Sequence, residues 1–142
     1  MNKLDFDIEK EVKEALEKNK PIVALESTLI SHGLPYPQNL EVAKASIDAV
    51  KLSGSIPATI GIINGRVKIG LDNDDMNILS KSKNVEKVSR HNLALSLANN
   101  KNAATTVASS IYLASLVGIK FFSTGGIGGV HLDAKNTFDI SS

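Results

Sequence analysis

Cysteine and tryptophan are both absent from this 142-residue sequence, and aromatic residues make up only 4% of it. Without cysteine the chain can form neither a disulfide framework nor a thiolate metal site, which fits a reducing compartment. Neither sign of charge dominates, because 16 Lys and Arg residues face 15 Asp and Glu residues, for a net charge of +1. So small a net charge does not gather nucleic acid or an anionic membrane. The composition therefore favours a small-molecule partner.

Long apolar segments are missing as well. The apolar runs are far shorter than the roughly 20 residues of a membrane-spanning helix. The opening segment, Met-Asn-Lys-Leu-Asp-Phe-Asp, lacks the apolar core of a signal peptide. We therefore expect a soluble cytoplasmic protein with no membrane or nucleic-acid partner. The length suits one domain with its own core and is too short for two.

The spacing of apolar residues predicts helices alternating with strands, which is typical of an α/β domain. The predicted helices cover residues 7–19, 38–53, 92–99 and 103–117, and the predicted strands cover residues 21–25, 56–63, 66–70, 85–88 and 119–123. Asn64-Gly65 lies between two β-branched runs and predicts a hairpin turn, because both residues tolerate positive φ. The first strand is apolar throughout, as expected for a strand buried on both faces.

Four consecutive residues, Asp72-Asn73-Asp74-Asp75, carry carboxylate or amide side chains. Such residues are typical of the N-cap and first turn of a helix. A calcium loop is the alternative, but the segment lacks the glycine and the distal glutamate of an EF-hand. We interpret it as the start of a short helix.

Glu26 directly follows the first predicted strand. Ligands of open α/β sheets bind beyond the carboxyl ends of the strands, so a carboxylate there is a candidate for proton transfer. The alternative is a solvated loop glutamate. Small polar side chains that could donate to an anionic or hydroxyl-rich ligand follow within six residues: Ser27, Thr28, Ser31 and His32.

A second candidate segment, Thr-Gly-Gly-Ile-Gly-Gly-Val-His at residues 124–131, also follows a predicted strand. Its glycines let the backbone approach a ligand closely and turn amides toward it, which suits a phosphate or carboxylate. The spacing matches neither the dinucleotide-binding fingerprint nor the Walker loop. The segment is therefore either an anion-binding loop or a flexible turn.

Several short motifs resemble, in order, those of the pseudouridine-5′-phosphate glycosidase family. They are Leu25-Glu26-Ser27-Thr28, Ser31-His32-Gly33, Pro35-Tyr36-Pro37-Gln38-Asn39, Pro57-Ala58-Thr59-Ile60, Lys87-Val88-Ser89-Arg90, Ala104-Thr105-Thr106-Val107-Ala108, the segment 124–131, and Thr137-Phe138-Asp139-Ile140-Ser141. The resemblance implies an α/β/α layered domain with a central mixed sheet, incomplete relative to the family. It also implies a trimeric cytoplasmic enzyme with a divalent metal such as Mn²⁺. The implied reaction is reversible cleavage of the C–C glycosidic bond of pseudouridine 5′-phosphate to uracil and ribose 5-phosphate.

The resemblance also implies roles for individual residues. Glu26 matches the family's proton donor, and Asp139 matches its metal ligand. Lys87 and Val107 match substrate contacts, and Ser141 matches the start of a substrate-binding run. The neighbouring Thr105 and Thr106 could add hydrogen-bond donors to a phosphate. Structural alternatives remain for three positions, with Lys87 as a surface charge, Asp139 as a helix N-cap and His131 as a packed loop residue.

The sequence departs from the family in length, because family members are about twice as long. Their nucleophilic lysine, which forms a Schiff base with the opened sugar, falls beyond Ser142. We therefore expect residues 1–142 to be the amino-terminal portion of a single domain from a split or truncated gene. That portion would be inactive alone unless Lys87 substitutes or a complementary carboxyl-terminal chain supplies the rest. It would also expose apolar edges and surfaces.

Two further possibilities follow from the same residues. The chain could be a non-catalytic sugar-phosphate-binding module or a remnant of a truncated gene. Within enzymes, it could act on a different sugar phosphate or on a C-nucleotide with another nucleobase, because the residues that read the base cannot be fixed from this half.

Overall fold

The computed structural model describes residues 6–130, 132–137 and 140–141. Its strands are β1 (Asp7–Ile8), β2 (Ile22–Leu25), β3 (Ile56–Ile63), β4 (Arg66–Ile69), β5 (Glu86–Val88), β6 (Ala103–Thr105), β7 (Phe121–Ser123), β8 (Gly129–Val130) and β9 (Ile140–Ser141). Its α-helices are α1 (Lys10–Glu17), α2 (Gln38–Leu52), α3 (Asn73–Lys81), α4 (Leu93–Ala98), α5 (Val107–Leu116) and α6 (Ala134–Thr137), and a π-helical turn spans Leu29–Gly33. No helix among these residues is both long and apolar enough to cross a membrane.

Seven strands form one mixed sheet in the described part of the chain, in the order β1-β4-β3-β2-β7, with β6 beside β3 and β5 beside β6. The long strand β3 pairs with three of the other strands. Its first half pairs in parallel with β2, and its second half pairs antiparallel with both β4 and β6. Strands β2 and β6 therefore lie end to end along the same side of β3, with their carboxyl ends facing each other.

Helices cover both faces of this sheet, and each face has its own core. On one face, Val12 and Ala15 of α1 and Leu113 of α5 pack with Ile22 and Ala24 of β2. The other core cluster joins α2 and α3 to the end of β3 and consists of Ile30, Ala43, Ile63, Leu71, Met76 and Leu79. This layering confirms the expected α/β fold with a central mixed sheet.

The acidic segment begins helix α3, as interpreted from the sequence. The Asp72 carboxylate accepts a hydrogen bond from the Asp75 N–H (2.8 Å), and the Asp75 carboxylate accepts one from the Asp72 N–H (3.1 Å). Together the two bonds form a capping box. Lys68 Nζ on β4 lies 2.5 Å from Asp75 Oδ2, so Asp75 takes part in both the helix cap and an ion pair.

The charged forms of Lys68 and Asp72 are each stabilised by neighbouring groups in this cluster. Burial disfavours the charge on Lys68, but the hydrogen bond that it donates to Asp75 and the nearby carboxylates outweigh burial, so the pKa of Lys68 is raised. The pKa of Asp72 is lowered, chiefly by the hydrogen bond from the Asp75 N–H, which stabilises the ionised form against burial.

The predicted helix over residues 103–117 is wrong at its start. Ala103 and Ala104 belong to β6, which pairs with β3 and β5, and α5 begins only at Val107. Alanine favours helix, but both residues are completely buried between neighbouring strands, and that tertiary pairing overrides local propensity. The first predicted helix also begins later, at Lys10, where the Glu9 side chain caps it.

Candidate active site

The carboxyl ends of four strands converge at one place in the sheet. Strand β7 lies parallel to β2, and β5 lies parallel to β6. Because β2 and β6 meet end to end, the residues that follow all four strands surround a common space. This is the position at which α/β sheets bind ligands.

Buried hydroxyl groups join β2 to β6. The Thr105 N–H donates to Ser27 Oγ (2.8 Å), and the Ser27 N–H donates to the Thr105 carbonyl (3.3 Å). Thr105 Oγ1 donates to the Ile60 carbonyl (2.6 Å) and accepts from Ser110 Oγ (2.9 Å). Ser27, Thr105 and Ser110 are completely buried. These bonds fix the position of Glu26 relative to Thr106.

The structure corrects part of the sequence analysis here. Ser27 and Thr105 do not line the cleft, because their hydroxyl groups form hydrogen bonds at the junction between the strands. Ser31 donates to the Leu79 carbonyl (3.0 Å) and ties the π-helical turn to α3. Of the polar residues that follow Glu26, Thr28 and His32 line the cleft.

Glu26 is half-buried, and hydroxyl groups hold both of its carboxylate oxygens. Thr124, which follows β7, contacts Oε1, and Thr28 contacts Oε2. The register explains the first contact, because Leu25 pairs with Ser123 and the next residue of each strand then lies side by side. Sequence reasoning missed Thr124 as a partner of Glu26, although both residues directly follow predicted strands.

A cleft of about 780 Å³ opens above these strand ends, within the usual size range of small-molecule sites. Its polar lining includes Glu26, Thr28, His32, Lys87 and Thr106, and residues of the glycine loop, defined here as residues 124–128, also line it. Its apolar lining comes from β2, the π-helical turn and the face of α2 that carries Ala43, Ala49 and Val50. The cleft can therefore hold a ligand that carries both charged and apolar groups.

Two backbone features favour an anion at the polar end. Helix α5 begins at Val107 on the cleft wall, and the free N–H groups of a helix start attract negative charge. Methyl groups placed on Gly125, Gly126 or Gly128 would meet no atom within 4 Å, so the glycine loop faces open space. Gly128 has φ +76°, a conformation that favours glycine.

The structure brings together four of the predicted site residues, namely Glu26, Lys87, Thr106 and Val107, on the wall of this cleft. Ser141 belongs to β9, and its backbone pairs with Gly129, directly after the glycine loop. Asp139 and His131 lie outside the described residues.

The expected metal site stays a prediction. Among the residues that the structure describes, no group of three or more His, Asp or Glu residues is arranged to hold an ion. Hydroxyl groups already occupy both oxygens of Glu26. The described residues by themselves therefore do not form a metal site.

The layered sheet with helices on both faces and a polar cleft at its converging strand ends defines an α/β protein with a candidate small-molecule site. The sequence matches the family model described as "Indigoidine synthase A like protein" over residues 11–142. The chain belongs to this family.

The relatives that it matches are curated as glycosidases. It is 54% identical to "Pseudouridine-5′-phosphate glycosidase" of Petrotoga mobilis and to that of Staphylococcus aureus, over 137 residues that make up 96% of this chain and 45% of each relative. The chain thus spans about half the length of these relatives, and it corresponds to their amino-terminal part.

Solved structures confirm the fold. The chain superimposes on the prealnumycin C-glycosynthase AlnA in complex with ribulose 5-phosphate with a TM-score of 0.79 at 38% identity, covering 96% of this chain and 44% of that protein. It superimposes on an indigoidine synthase A-like protein from Thermotoga maritima with a TM-score of 0.78 at 31% identity, covering 90% and 41% of the two chains.

Proposed function

We propose that this chain forms the amino-terminal part of a pseudouridine-5′-phosphate glycosidase, which reversibly cleaves pseudouridine 5′-phosphate to uracil and ribose 5-phosphate. The observation that carries the proposal is that Glu26, Lys87 and the start of α5 line the same cleft. The identity of more than half the residues to glycosidases over nearly the whole chain supports it. The sugar phosphate bound to a structural neighbour supports the class of ligand.

The reaction needs a proton donor at the base. Cleavage consumes one water molecule overall: the sugar carbon gains its oxygen, and the electron pair left on the uracil carbon takes up a proton. Glu26 lies on the cleft wall with its carboxyl group held in place, as a general acid requires. In the reverse direction the same carboxylate removes the proton.

The phosphate needs positive charge and N–H donors. Lys87 provides a charged group on the cleft wall, and α5 begins on the same wall at Val107. The glycine loop adds backbone that a phosphate can approach closely. We assign the sugar phosphate to this end of the cleft.

The resemblance to the family implies that the lysine that forms the Schiff base lies in the part of the relatives' length that residues 1–142 do not cover. We therefore propose that the 142-residue chain alone binds ribose 5-phosphate but does not turn over pseudouridine 5′-phosphate. Turnover would appear when the carboxyl-terminal half of a full-length relative is added. Release of uracil by the isolated chain at the rate of full-length relatives would contradict this proposal.

Calorimetry with ribose 5-phosphate tests the binding site. Lys87→Ala should weaken binding about tenfold or more, because a hydrogen bond to a charged group contributes roughly 1.5–3 kcal/mol. Lys83→Ala removes an exposed lysine from outside the cleft lining and should leave the affinity unchanged. Equal affinities for the two variants would reject Lys87 as a phosphate ligand.

The second candidate function is a sugar-phosphate-binding module without catalysis, which the cleft supports equally well as a binding site. The two candidates differ in one result. A module binds ribose 5-phosphate but yields no uracil even with the complementary half added. For the enzyme, Glu26→Gln in the completed protein should lower the rate roughly 10²–10⁴-fold while binding persists.

We further propose a homotrimeric cytoplasmic assembly in which Asp139 ligates Mn²⁺, since a carboxylate is a hard ligand suited to this ion. Paramagnetic broadening of NMR signals by added Mn²⁺ tests the ligand. Asp139→Asn should abolish specific broadening, whereas Asp133→Asn, a change to a nearby acid, should retain it. Broadening that survives Asp139→Asn would refute the assignment.

A further inference from the structure

The side chain of Thr124 contacts both Glu26 and the backbone of Gly126 in the glycine loop. Its Oγ1 contacts Glu26 Oε1 and lies 3.0 Å from the Gly126 carbonyl oxygen. Thr124 Oγ1 also accepts a hydrogen bond from the Gly126 N–H, with 3.3 Å between the oxygen and the nitrogen. The hydroxyl group thus faces two acceptors and one donor.

A hydroxyl group carries a single proton, so it cannot donate fully to both acceptors. When Glu26 is ionised, its carboxylate is the better acceptor, because charge-assisted hydrogen bonds are roughly twice as strong as neutral ones. The Thr124 proton then points to Glu26, and the Gly126 carbonyl loses this bond.

Protonation of Glu26 reverses the preference. If the proton sits on Oε1, the carboxyl group becomes a donor to Thr124 Oγ1, and the Thr124 proton turns to the Gly126 carbonyl. If it sits on Oε2, beside Thr28, then Oε1 becomes a neutral and weaker acceptor. In both cases the hydrogen bond from Thr124 to the glycine loop strengthens.

We propose that Thr124 is a positioning residue that transmits the protonation state of Glu26 to the glycine loop through its single hydroxyl proton. This deepens the proposed function and rests on it for its catalytic meaning, because Glu26 loses and regains a proton in that reaction. The glycine loop is then held differently before and after proton transfer. The proton changes only its hydrogen-bond partner, and no covalent bond of Thr124 breaks.

Other charged groups face the same space and have to be separated from Glu26. Among the described residues that line the cleft, His32 of the π-helical turn and Lys87 of β5 are the other titratable groups. A Glu26→Gln variant retains both of them. Any change with pH that persists at Gly126 in this variant therefore comes from a group other than Glu26.

NMR titration of the labelled 142-residue chain tests the proposal without substrate, so its outcome is independent of whether the chain is part of a glycosidase. As Glu26 gains its proton, we expect the Gly126 amide signal to shift together with the Glu26 side-chain carboxyl carbon. Thr124→Val should abolish the shift of Gly126 while the signal of the Glu26 carbon still changes. Thr124→Ser keeps the hydroxyl group and should restore it.

Matched controls make the result decisive. Thr28→Val removes the hydrogen bond to the other carboxylate oxygen and should leave the joint shift of Gly126 intact. Glu26→Gln should abolish it. If Thr124→Val does not fold, Thr124→Ala removes the same hydroxyl group and takes its place in the comparison. A Gly126 signal that shifts unchanged in Thr124→Val or Glu26→Gln, or that fails to follow Glu26 in the wild type, would overturn the proposal.

Discussion

Gly65 lies in the turn between β3 and β4 with φ +72°, where its N–H donates to the Lys101 carbonyl (2.9 Å). A methyl group at this position would lie 2.7 Å from Asn100 Cα and 2.8 Å from the Leu97 carbonyl oxygen. The Asn-Gly turn predicted from sequence is therefore also a point of close contact with the segment after α4. Steric overlap and backbone conformation both favour glycine there.

Gly65→Ala should lower the free energy of unfolding by about 2–5 kcal/mol, combining roughly 1–2 kcal/mol for a left-handed residue with 1–3 kcal/mol for overpacking. Gly118→Ala is the matched control, because Gly118 has φ +87° but no atom within 4 Å of the added methyl group. Gly118→Ala should lower the free energy of unfolding only by the roughly 1–2 kcal/mol that a left-handed residue costs. Urea denaturation measures both, and equal losses would show that the contact with Asn100 has no effect.

The residues after Glu26 show what sequence can and cannot predict at this scale. Glu26 was predicted as a site residue because an acid after an apolar strand is a local pattern. Ser27 and Thr28 are equally polar and adjacent, yet Ser27 bonds to Thr105 and only Thr28 faces the cleft. Which hydroxyl group turns inward depends on β6, 78 residues away from Ser27 in sequence, and no local pattern reports that pairing.

Helix α3 shows how several acids stabilise one element. Asp72 caps its start, Asp75 completes the capping box, and Lys68 ties the helix to β4. The capping role was predictable because aspartate at a helix start is a local signal. The partner Lys68 was not, since it lies on a strand whose position next to α3 depends on the sheet.

Asp72→Ala should destabilise the protein by about 1 kcal/mol near neutral pH through loss of the cap. Asp72→Asn keeps an acceptor and removes only the charge. Since the pKa of Asp72 is lowered by folding, the stabilisation from its charge is present above the unfolded value of 3.8 and is lost as pH falls through the folded value. The stability difference between wild type and Asp72→Asn, followed by thermal melts, should therefore shrink below pH 3.8; a constant difference would contradict this.

Lys68→Met should destabilise the protein by about 3 kcal/mol, because it leaves Asp75, with a side chain only 7% exposed, without its cation. Asp7→Asn is the control, since Asp7 is 51% exposed and 3.9 Å from Lys68, and such pairs contribute about 0–1 kcal/mol. Urea denaturation compares the variants. Similar losses in both would contradict the dominant role of Asp75.

The same ion pair predicts a response to alkaline pH. Folding raises the pKa of Lys68, so its stabilisation is complete below the unfolded value of 10.5 and is lost as pH rises through the folded value. The stability difference between wild type and Lys68→Met should decline above pH 10.5.

At the scale of the whole molecule, the order of elements was largely predictable, because alternating helices and strands follow from periodicity. The end-to-end meeting of β2 and β6 was not, since both strands are short and their arrangement depends on sharing β3. The convergence of Lys87 and Thr106 with Glu26 in one cleft follows from that arrangement. Sequence motifs implied that these residues share a site but not how the sheet brings them together.

Apolar surface remains exposed at one edge of the molecule. Strand β7 ends the described sheet, Phe121 is 66% exposed, and Ile127 after it is 79% exposed. Such an edge invites pairing with another chain. Phe121→Lys should therefore reduce concentration-dependent association in sedimentation velocity experiments. Leu52→Lys, at an 89% exposed residue at the end of α2, should not, and equal effects would place the association elsewhere.

The hydroxyl junction between Ser27 and Thr105 ties the existence of the cleft to completion of the sheet. Its two walls come from segments far apart in the chain, so no partly folded intermediate that lacks β6 possesses a binding site. A ligand of the cleft consequently recognises only fully folded molecules, and its affinity is converted into resistance to global unfolding. If a sugar phosphate is the ligand, as proposed above, the melting temperature should rise with its concentration.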